Sequence, residues 1–317
     1  MNFALVFPGQ GSQSVGMLAE LADAHPQIKA TFQEASDALG YDLWQLIQNG
    51  PEEELGKTHI TQPAMLTGGV AIWRLWQSQT DIMPSIMAGH SLGEYSELVA
   101  AGSLSLNDAV SLVADRGRFM QEAVPSGVGA MAAILGLDDE QVIAVCANAA
   151  KTAAGDEVVT AVNFNSPGQV VIAGHAAAVE RAVDAAKEAG AKRALMLPVS
   201  VPSHCSLMMP AAEQLAVRLA EITITAPSIP VLNNVDVKAE SDPTAIRDAL
   251  KRQLFCPVRW VDTINAIGDH DILQLVECGP GKVLAGLNKR INKQMTAYAT
   301  SDVSSFDKAL QAIQGGD

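Results

Sequence analysis

Gly89-His90-Ser91-Leu92-Gly93 is a Gly-x-Ser-x-Gly pentapeptide with a strand-like run before it and a helix-like run after it. Ile82 to Ala88 is apolar apart from Ser85 and is broken once by Pro84, and Leu92 to Ala101 reads as a helix stopped by Gly102. A serine at such a strand-to-helix turn is held clear of the sheet with its hydroxyl exposed. Glycines on either side let neighbouring backbone come close. The helix N-terminus supplies unpaired N–H groups and positive potential where an oxyanion would form. The chemistry this predicts is nucleophilic attack by Ser91. Three fixed positions, each filled by chance at roughly 7–8%, match about once in ten chains of this length. The inference therefore leans on the strand and helix patterns around the pentapeptide.

A nucleophilic serine needs a base, and the six histidines are the pool. His25 and His59 lie in polar helix–loop contexts, and His175 and His270 follow strand or turn signals without an evident partner. His90 adjoins the serine but projects differently from it. His204 lies in Val201-Pro202-Ser203-His204-Cys205, a loop where a base at the edge of a sheet would sit; a structural loop histidine is the alternative. An α/β-hydrolase normally places an Asp or Glu between its Ser and its His. Here Asp156, Glu157 and Asp184 fall in a segment of different organisation, so a backbone carbonyl is the expected partner of the histidine.

Arg116 is the second informative residue. Leu106–Ala123 reads as a helix with a capping-box-like start at Ser105 and Asp108. Ala109, Leu112, Val113, Phe119 and Met120 form its apolar stripe, and Arg116 lies inside that stripe. Arg118 falls on the polar side, within pairing distance of Asp115 and Glu122. An inward arginine is costly unless it meets an anion, and its fork suits a carboxylate. Two anions stay open: a buried Asp or Glu in a structural ion pair, or the carboxylate of a substrate whose acyl group is a dicarboxylic half-ester.

These residues need elements to position them. Phe3 to Phe7 is a short apolar strand running into Pro8-Gly9-Gln10-Gly11-Ser12-Gln13, a donor-rich loop of the kind found at the C-terminal end of a strand beside a site. It lacks the Lys-Ser/Thr ending of a phosphate loop. Helical patterns follow at Gln27–Leu39 and Pro63–Gln77, with Thr61 as N-cap of the second. Helices alternating with strands on either side of Ser91 predict a parallel α/β sheet. The middle of the chain differs. Strand patterns at Val128–Leu135, Glu157–Phe164, Val170–Ala173 and Lys192–Val199, with helices at Asp138–Ala149 and Ala176–Ala189, follow the β-α-β-β-α-β order of a ferredoxin-like unit. We therefore expect a small ferredoxin-like subdomain at 127–199, inserted into a large α/β catalytic subdomain made of 1–126 and 200–317. In the second half, Pro210–Ile222 and Thr244–Leu254 read as helices, Pro230–Val237 and Asp271–Cys278 as strands, and Gly279-Pro280-Gly281 turns into a helix through Ile291.

Composition sets outer limits. The chain has 317 residues, 48% hydrophobic and 18% charged, with 21 basic against 35 acidic residues and a net charge of −14. That balance argues against nucleic acid or an anionic membrane as the main partner. The four cysteines show no metal-type pairing and read as reduced thiols of a cytoplasmic protein. The N-terminus has no basic leader region, and no apolar run is long enough to span a bilayer.

Taken together, the chain closely resembles the malonyl-CoA:acyl carrier protein transacylases of bacterial type II fatty-acid synthesis, nearly end to end. The resemblance is carried by Phe7-Pro8-Gly9-Gln10-Gly11-Ser12-Gln13, Thr61-Gln62-Pro63-Ala64, Gly89-His90-Ser91-Leu92-Gly93-Glu94 and Asp115-Arg116-Gly117. It continues in Asn163-Phe164-Asn165-Ser166-Pro167-Gly168-Gln169, Ser203-His204, Gln253-Leu254 and Gly279-Pro280-Gly281-Lys282. It implies a hydrolase-like α/β core with a ferredoxin-like insertion, and ping-pong transfer of a malonyl group from malonyl-CoA to the phosphopantetheine thiol of acyl carrier protein. No bound cofactor or metal is implied; the CoA thioester is the substrate. Ser91 would be nucleophile, His204 base and Arg116 the carboxylate binder. The N–H groups of Gln10 and Leu92 would form the oxyanion hole. The carbonyl of Gln253 would orient His204, and Gln62 and Asn163 match positions near the substrate. The residue before the histidine helps choose the acyl group in related polyketide enzymes. Here it is Ser203, and its Val-Pro-Ser-His context resembles stand-alone fatty-acid enzymes and favours malonyl. Acyl carrier proteins are acidic, so docking on this acidic chain needs a local basic patch. Lys282, Lys289, Arg290 and Lys293 are one candidate, Lys192 and Arg193 another. Two other readings compete: a serine hydrolase or thioesterase, which gives no reason for an inward Arg116, and a non-catalytic carrier-docking module.

Overall fold

The structure is a computed structural model describing residues 2–152, 155, 157–199 and 201–315. Among the described residues nine strands form two sheets. In chain order they are β1 (Ala4–Phe7), β2 (Ile86–Gly89), β3 (Gly129–Leu135), β4 (Val159–Ser166), β5 (Gln169–His175), β6 (Arg193–Met196), β7 (Val231–Leu232), β8 (Gln274–Glu277) and β9 (Thr296–Ala299).

Five strands, ordered β7-β2-β1-β8-β9, pair in parallel throughout. The apolar run of β1 is explained by its place near the middle, where strands of a parallel sheet are covered on both faces. Phe3, Leu5 and Phe7 join Met87 and Val276 in the larger core, against helices that include Gln27–Leu39, Thr58–Gln79 and Leu106–Ala123. Ala4 and Val6 point the other way, with Ile86, Ala88 and Leu275, onto helices Trp260–Gly268 and Val283–Ile291.

The other four strands form an antiparallel sheet ordered β4-β5-β3-β6. Alternation along β3 splits its two faces. Ala130, Ala132 and Ile134 pack under helices Asp139–Ala149 and Ala176–Glu188. Met131 faces Val162, Val171 and Cys205. Backbone ties β4 to the segment before helix Trp260–Gly268: Val258 N–H donates to Val162 O at 2.8 Å and Phe164 N–H to Val258 O at 3.1 Å. The arrangement is the α/β architecture expected, a parallel sheet plus a ferredoxin-type antiparallel one. The return to the first sheet at Ser200 lies outside the described residues.

Local readings differ in instructive ways. Thr61 is not a helix cap. The helix starts a turn earlier, at Thr58, with Lys57 as N-cap, and Thr61 Oγ1 donates to Leu55 O. Pro63 therefore sits inside the helix rather than in its first turn. The strand expected over Pro230–Val237 is only Val231–Leu232, because Asn233 folds the chain back: Asn233 N–H donates to Lys238 O and Asp236 N–H to Asn233 Oδ1. The strands expected over Lys192–Val199 and Asp271–Cys278 shrink to Arg193–Met196 and Gln274–Glu277, since apolar runs continue past the last ladder bond. Helix Leu43–Asn49, helix Val303–Gly315 and strand β9 were not anticipated.

Candidate active site

Both glycines of the pentapeptide are required by close approach. A Cβ on Gly89 would lie 2.0 Å from Gly93 C, and one on Gly93 would lie 2.1 Å from Phe7 O. The helix Gly93–Ala100 can therefore start directly over the end of β2 and beside β1. Ser91, on the turn between them, has φ 52°, the left-handed region that non-glycine residues occupy only under constraint. His204 is strained in the same way, with φ 66°. Its N–H donates to Leu254 O at 2.9 Å.

These two residues face each other. His204 Nε2 lies 2.8 Å from Ser91 Oγ, and His204 Nδ1 lies 2.7 Å from Gln253 O. A carbonyl only accepts, so Nδ1 carries the proton and Nε2 presents its lone pair to the serine hydroxyl. His204 is 3% exposed. Burial first, and then the nearby Arg116 cation, push its pKa down to about 3. The ring is thus a neutral base at neutral pH. No carboxylate completes a triad among the described residues. Glu157 pairs with Arg181 and Asp184 with Lys187; Asp156 lies outside the described residues.

Arg116 turns inward, as its place in the stripe requires, and is 1% exposed. Its partners are amides. Nη1 donates to Gln62 Oε1 at 2.8 Å, Nη2 to Gln253 Oε1 at 3.0 Å and, weakly, to Ser91 Oγ at 3.5 Å. The guanidinium lies over the Tyr95 ring, 5.3 Å from its centroid. No described Asp or Glu lies within 4.0 Å of it, and its Nε–H has no partner. Among the described residues no ion pair compensates this buried cation beside the nucleophile, and the Glu94 carboxyl acts on it only from beyond ion-pair distance. Arg118 does pair with Asp115 at 2.8 Å and with Glu122 at 3.6 Å on the outer face.

The remaining sequence-derived residues divide. Gln62 is fully buried and reaches back to Gln10, Nε2 to Oε1 at 3.3 Å. The N–H groups of Gln10, in the loop after β1, and of Leu92, the N-cap of helix Gly93–Ala100, donate to no described protein acceptor. Asn163 does not enter this network. It bridges Val258 from β4, and its buried Oδ1 is unpartnered. Its neighbour Asn165 makes the contact instead, with Oδ1 2.8 Å from His90 Nε2. Lys289 and Arg290 are exposed at the end of helix Val283–Ile291. Lys282 stands at the start of that helix and Lys293 past its end, so helical spacing does not align Lys293 with the others. Arg290 Nη1 donates to Gln169 Oε1 at 2.8 Å, across to the antiparallel sheet. Lys192 and Arg193 are exposed at the edge strand β6.

Three polar residues escaped the sequence reading: Asn165, Asn234 and the carboxyl of Glu94. Asn234 is 0% exposed and Glu94 2% exposed. Glu94 stands in the Gly89–Glu94 motif and Asn165 in the Asn163–Gln169 motif, so their positions were in view. Their partners lie 75 to 159 residues away and leave no trace in local sequence.

The acyl transferase domain family matches residues 4–306. A malonyl CoA-acyl carrier protein transacylase of Salmonella typhimurium is 61% identical over 309 residues, covering 98% of this chain and 99% of its own. One from Bacillus subtilis is 45% identical over 313 residues, covering 99% and 98%. Among solved structures, an acyl carrier protein S-malonyltransferase from Vibrio cholerae matches with TM-score 0.94 and 58% identity, over 97% of this chain and 99% of that one. A malonyl-transacylase solved in complex with its type II PKS acyl-carrier protein matches with TM-score 0.96 and 58% identity, over 98% and 100%. The chain belongs to the acyl transferase family, among its malonyl CoA-acyl carrier protein transacylases.

Proposed function

We propose that this chain moves a malonyl group from malonyl-CoA to the phosphopantetheine thiol of acyl carrier protein, by a ping-pong route through a malonyl ester on Ser91. The observation that carries the reading is the buried Arg116, which lies beside Ser91 Oγ and, among the described residues, has no carboxylate within ion-pair distance. Two amide oxygens hold it in place without neutralising it. A substrate carboxylate supplies the missing charge, and a bidentate fork recognises its plane.

The first half-reaction follows from the contacts. Ser91 Oγ attacks the thioester carbon while His204 Nε2 takes the hydroxyl proton. The Gln253 carbonyl holds the ring in the correct tautomer and stabilises the imidazolium that forms. The carbonyl oxygen becomes an oxyanion, which accepts from the N–H groups of Gln10 and Leu92. The C–S bond then breaks, CoA leaves with the proton from His204, and malonyl remains on Ser91. In the second half His204 takes the proton of the carrier's thiol. The thiolate attacks the ester carbonyl, and Ser91 leaves and recovers its proton from His204. All groups that hold or move protons belong to the chain. Gln62 keeps Arg116 in register, and Asn163 on β4, with its buried Oδ1 unpartnered, is a further candidate for a substrate contact. The segments 1–126 and 200–317 form the catalytic subdomain, with 127–199 as the smaller unit against it. Carrier protein docks on the basic ends at Lys282, Lys289, Arg290 and Lys293, with Lys192 and Arg193 as a second patch. The cysteines are free among the described residues, in keeping with the reduced thiols of a cytoplasmic protein; no helix among the described residues is long and apolar enough to cross a membrane.

The test is intact-protein mass spectrometry after brief exposure to malonyl-CoA without acceptor. The transfer reading expects one malonyl group per chain, absent from Ser91→Ala. Continuous release of free malonate instead would show a hydrolase, and no mass gain at all would show a docking module.

A further inference from the structure

Asn234 stands just past β7 and grips the nucleophile turn on both sides. Its Oδ1 accepts from Ser91 N–H at 2.7 Å and its Nδ2 donates to Gly89 O at 2.6 Å. Its own main-chain N–H donates to Glu94 Oε2 at 3.0 Å. The same Glu94 oxygen accepts from Gln253 Nε2 at 2.8 Å, and that nitrogen also donates to Ser91 O at 2.8 Å. One carboxyl oxygen thus lies where three parts of the site meet. These are the backbone of the nucleophile, the residue whose carbonyl orients His204, and the amide oxygen that faces Arg116.

We propose that Glu94 is a positioning residue: through Oε2 it holds Asn234 and the Gln253 amide, and so sets both the left-handed backbone of Ser91 and the face that Gln253 turns to Arg116. The inference rests on the acyl-transfer reading for the roles of Ser91 and Arg116.

Two physical requirements lead to it. A serine at φ 52° persists only where its surroundings over-determine it. Here its N–H goes to Asn234 and its C=O accepts from Gln253 Nε2 and Glu94 N–H. The second requirement concerns the shape of an amide, whose two ends are nearly alike in size and opposite in hydrogen bonding. In the observed orientation of Gln253, oxygen meets the guanidinium, and nitrogen meets Ser91 O and Glu94 Oε2. Flipped, NH₂ would face a cation and oxygen would face two acceptors. Glu94 is an acceptor buried where only a donor satisfies it, so it selects the orientation that leaves Gln253 Oε1 on Arg116. Oε1 of Glu94 takes no hydrogen bond among the described residues, so the acceptor role needs one oxygen rather than a charge.

The experiment compares Glu94→Leu and Glu94→Gln with the full-length wild type, by three readouts. These are the rate of Ser91 acylation by malonyl-CoA, the malonyl-to-acetyl preference of that step, and labelling of Ser91 by a fluorophosphonate. Leucine fills the site without an acceptor. It should slow acylation by about tenfold to a hundredfold, the scale of a displaced reacting group, slow fluorophosphonate labelling, and lower the malonyl-to-acetyl ratio. Glutamine keeps an acceptor oxygen and should recover most of all three. Wild-type behaviour of Glu94→Leu overturns the proposal, and so does a glutamine variant as impaired as the leucine one. Should Glu94→Leu not fold, Asn234→Ala carries the test. It should slow labelling while leaving the malonyl-to-acetyl ratio unchanged, and unaltered labelling overturns the proposal. Labelling needs no malonyl group. A wild type that takes the fluorophosphonate but no malonyl therefore defeats the functional reading, while positioning is judged on labelling.

Discussion

In the parallel sheet, strands stop where the chemistry begins: Ser91 lies two residues past β2, and Gln10 three past β1. In the antiparallel sheet, strands run on under two helices. Among the described side chains one hydrogen bond joins it to the cluster, with Asn165 Oδ1 accepting from His90 Nε2. Backbone strain follows the same division. Every described residue of positive φ between β3 and β6 is a glycine, at Gly136, Gly155, Gly168 and Gly190. In the rest of the chain Leu18, Ser91, His204, Val237 and Asp271 also adopt positive φ, and two of those are the reacting pair. At Ser91 and His204 a glycine could not relieve the strain, because the side chain there does the chemistry. The lesson is that parallel strands, all pointing one way, converge loops of distant sequence on one edge, while the antiparallel layer braces that edge.

The comparison breaks most readily at the reacting pair. Ser91→Ala should abolish the malonyl mass gain, and His204→Ala should slow both half-reactions by at least about a hundredfold. Asn165→Ala, on the bracing side, should change the acylation rate by less than about tenfold. Equal losses for Asn165→Ala and His204→Ala, measured by quenched-flow acylation, would erase the distinction between the two sheets.

Arg116 sharpens it next. Arg116→Ala should cost malonyl transfer roughly 2–5 kcal/mol, as for truncation of a buried charge-assisted pair, and acetyl transfer far less. Arg116→Lys should not rescue, because a point charge lacks the fork. If initial rates for the two donors fall equally, the arginine belongs with the bracing residues.

A smaller effect is expected in the pH dependence of folding stability, where buried His204 titrates differently from an exposed histidine. The pKa of His204 lies near 3 in the folded protein and near 6.5 when unfolded. As pH falls through 6.5, the unfolded chain takes up a proton that the folded chain refuses, so folding stability drops. Glu94 works in the opposite sense. Burial, offset in part by bonds from Gln253 and Asn234, raises its pKa to about 7, so its stabilising term fades as pH rises from about 4.5 to 7. Urea unfolding of wild type and His204→Gln isolates the first term. The wild type should lose more stability between pH 7 and 4.5, and parallel curves would show that the ring titrates freely.

The least effect is expected at the surface that joins the two sheets. Reversing Lys289 and Arg290 to Glu should raise the apparent KM for carrier protein several-fold and leave acylation by malonyl-CoA unchanged. Added salt should narrow the gap, since exposed charges are screened beyond about 8–10 Å. Unchanged carrier kinetics at low salt would move docking elsewhere.

Much of this site was legible because its parts obey local rules. The pentapeptide between strand and helix marked Ser91, and the stripe of helix Leu106–Ala123 marked Arg116 as buried and Arg118 as exposed. The lack of a triad acid foretold a carbonyl on His204 Nδ1. Element ends were less legible. Thr61 imitates an N-cap, yet the helix begins at Thr58, because capping signals compete with a turn whose backbone bonds are already met.

The sequence by itself determined what each reacting residue could be: a hydroxyl on a tight turn, an imidazole in a loop, a guanidinium on a buried stripe. Those properties follow from residue type and from periods of two to four residues, which sequence displays directly. Only the tertiary structure decided which groups meet. It set Gln62 and Gln253, rather than an acid, against Arg116, chose Asn165 over Asn163 as the contact to His90, and placed Asn234 and Glu94 behind the nucleophile. Those pairings span 54 to 159 residues. Over such distances no local propensity acts, and the partner is selected by the fold and by the cost of leaving a buried polar group unpaired.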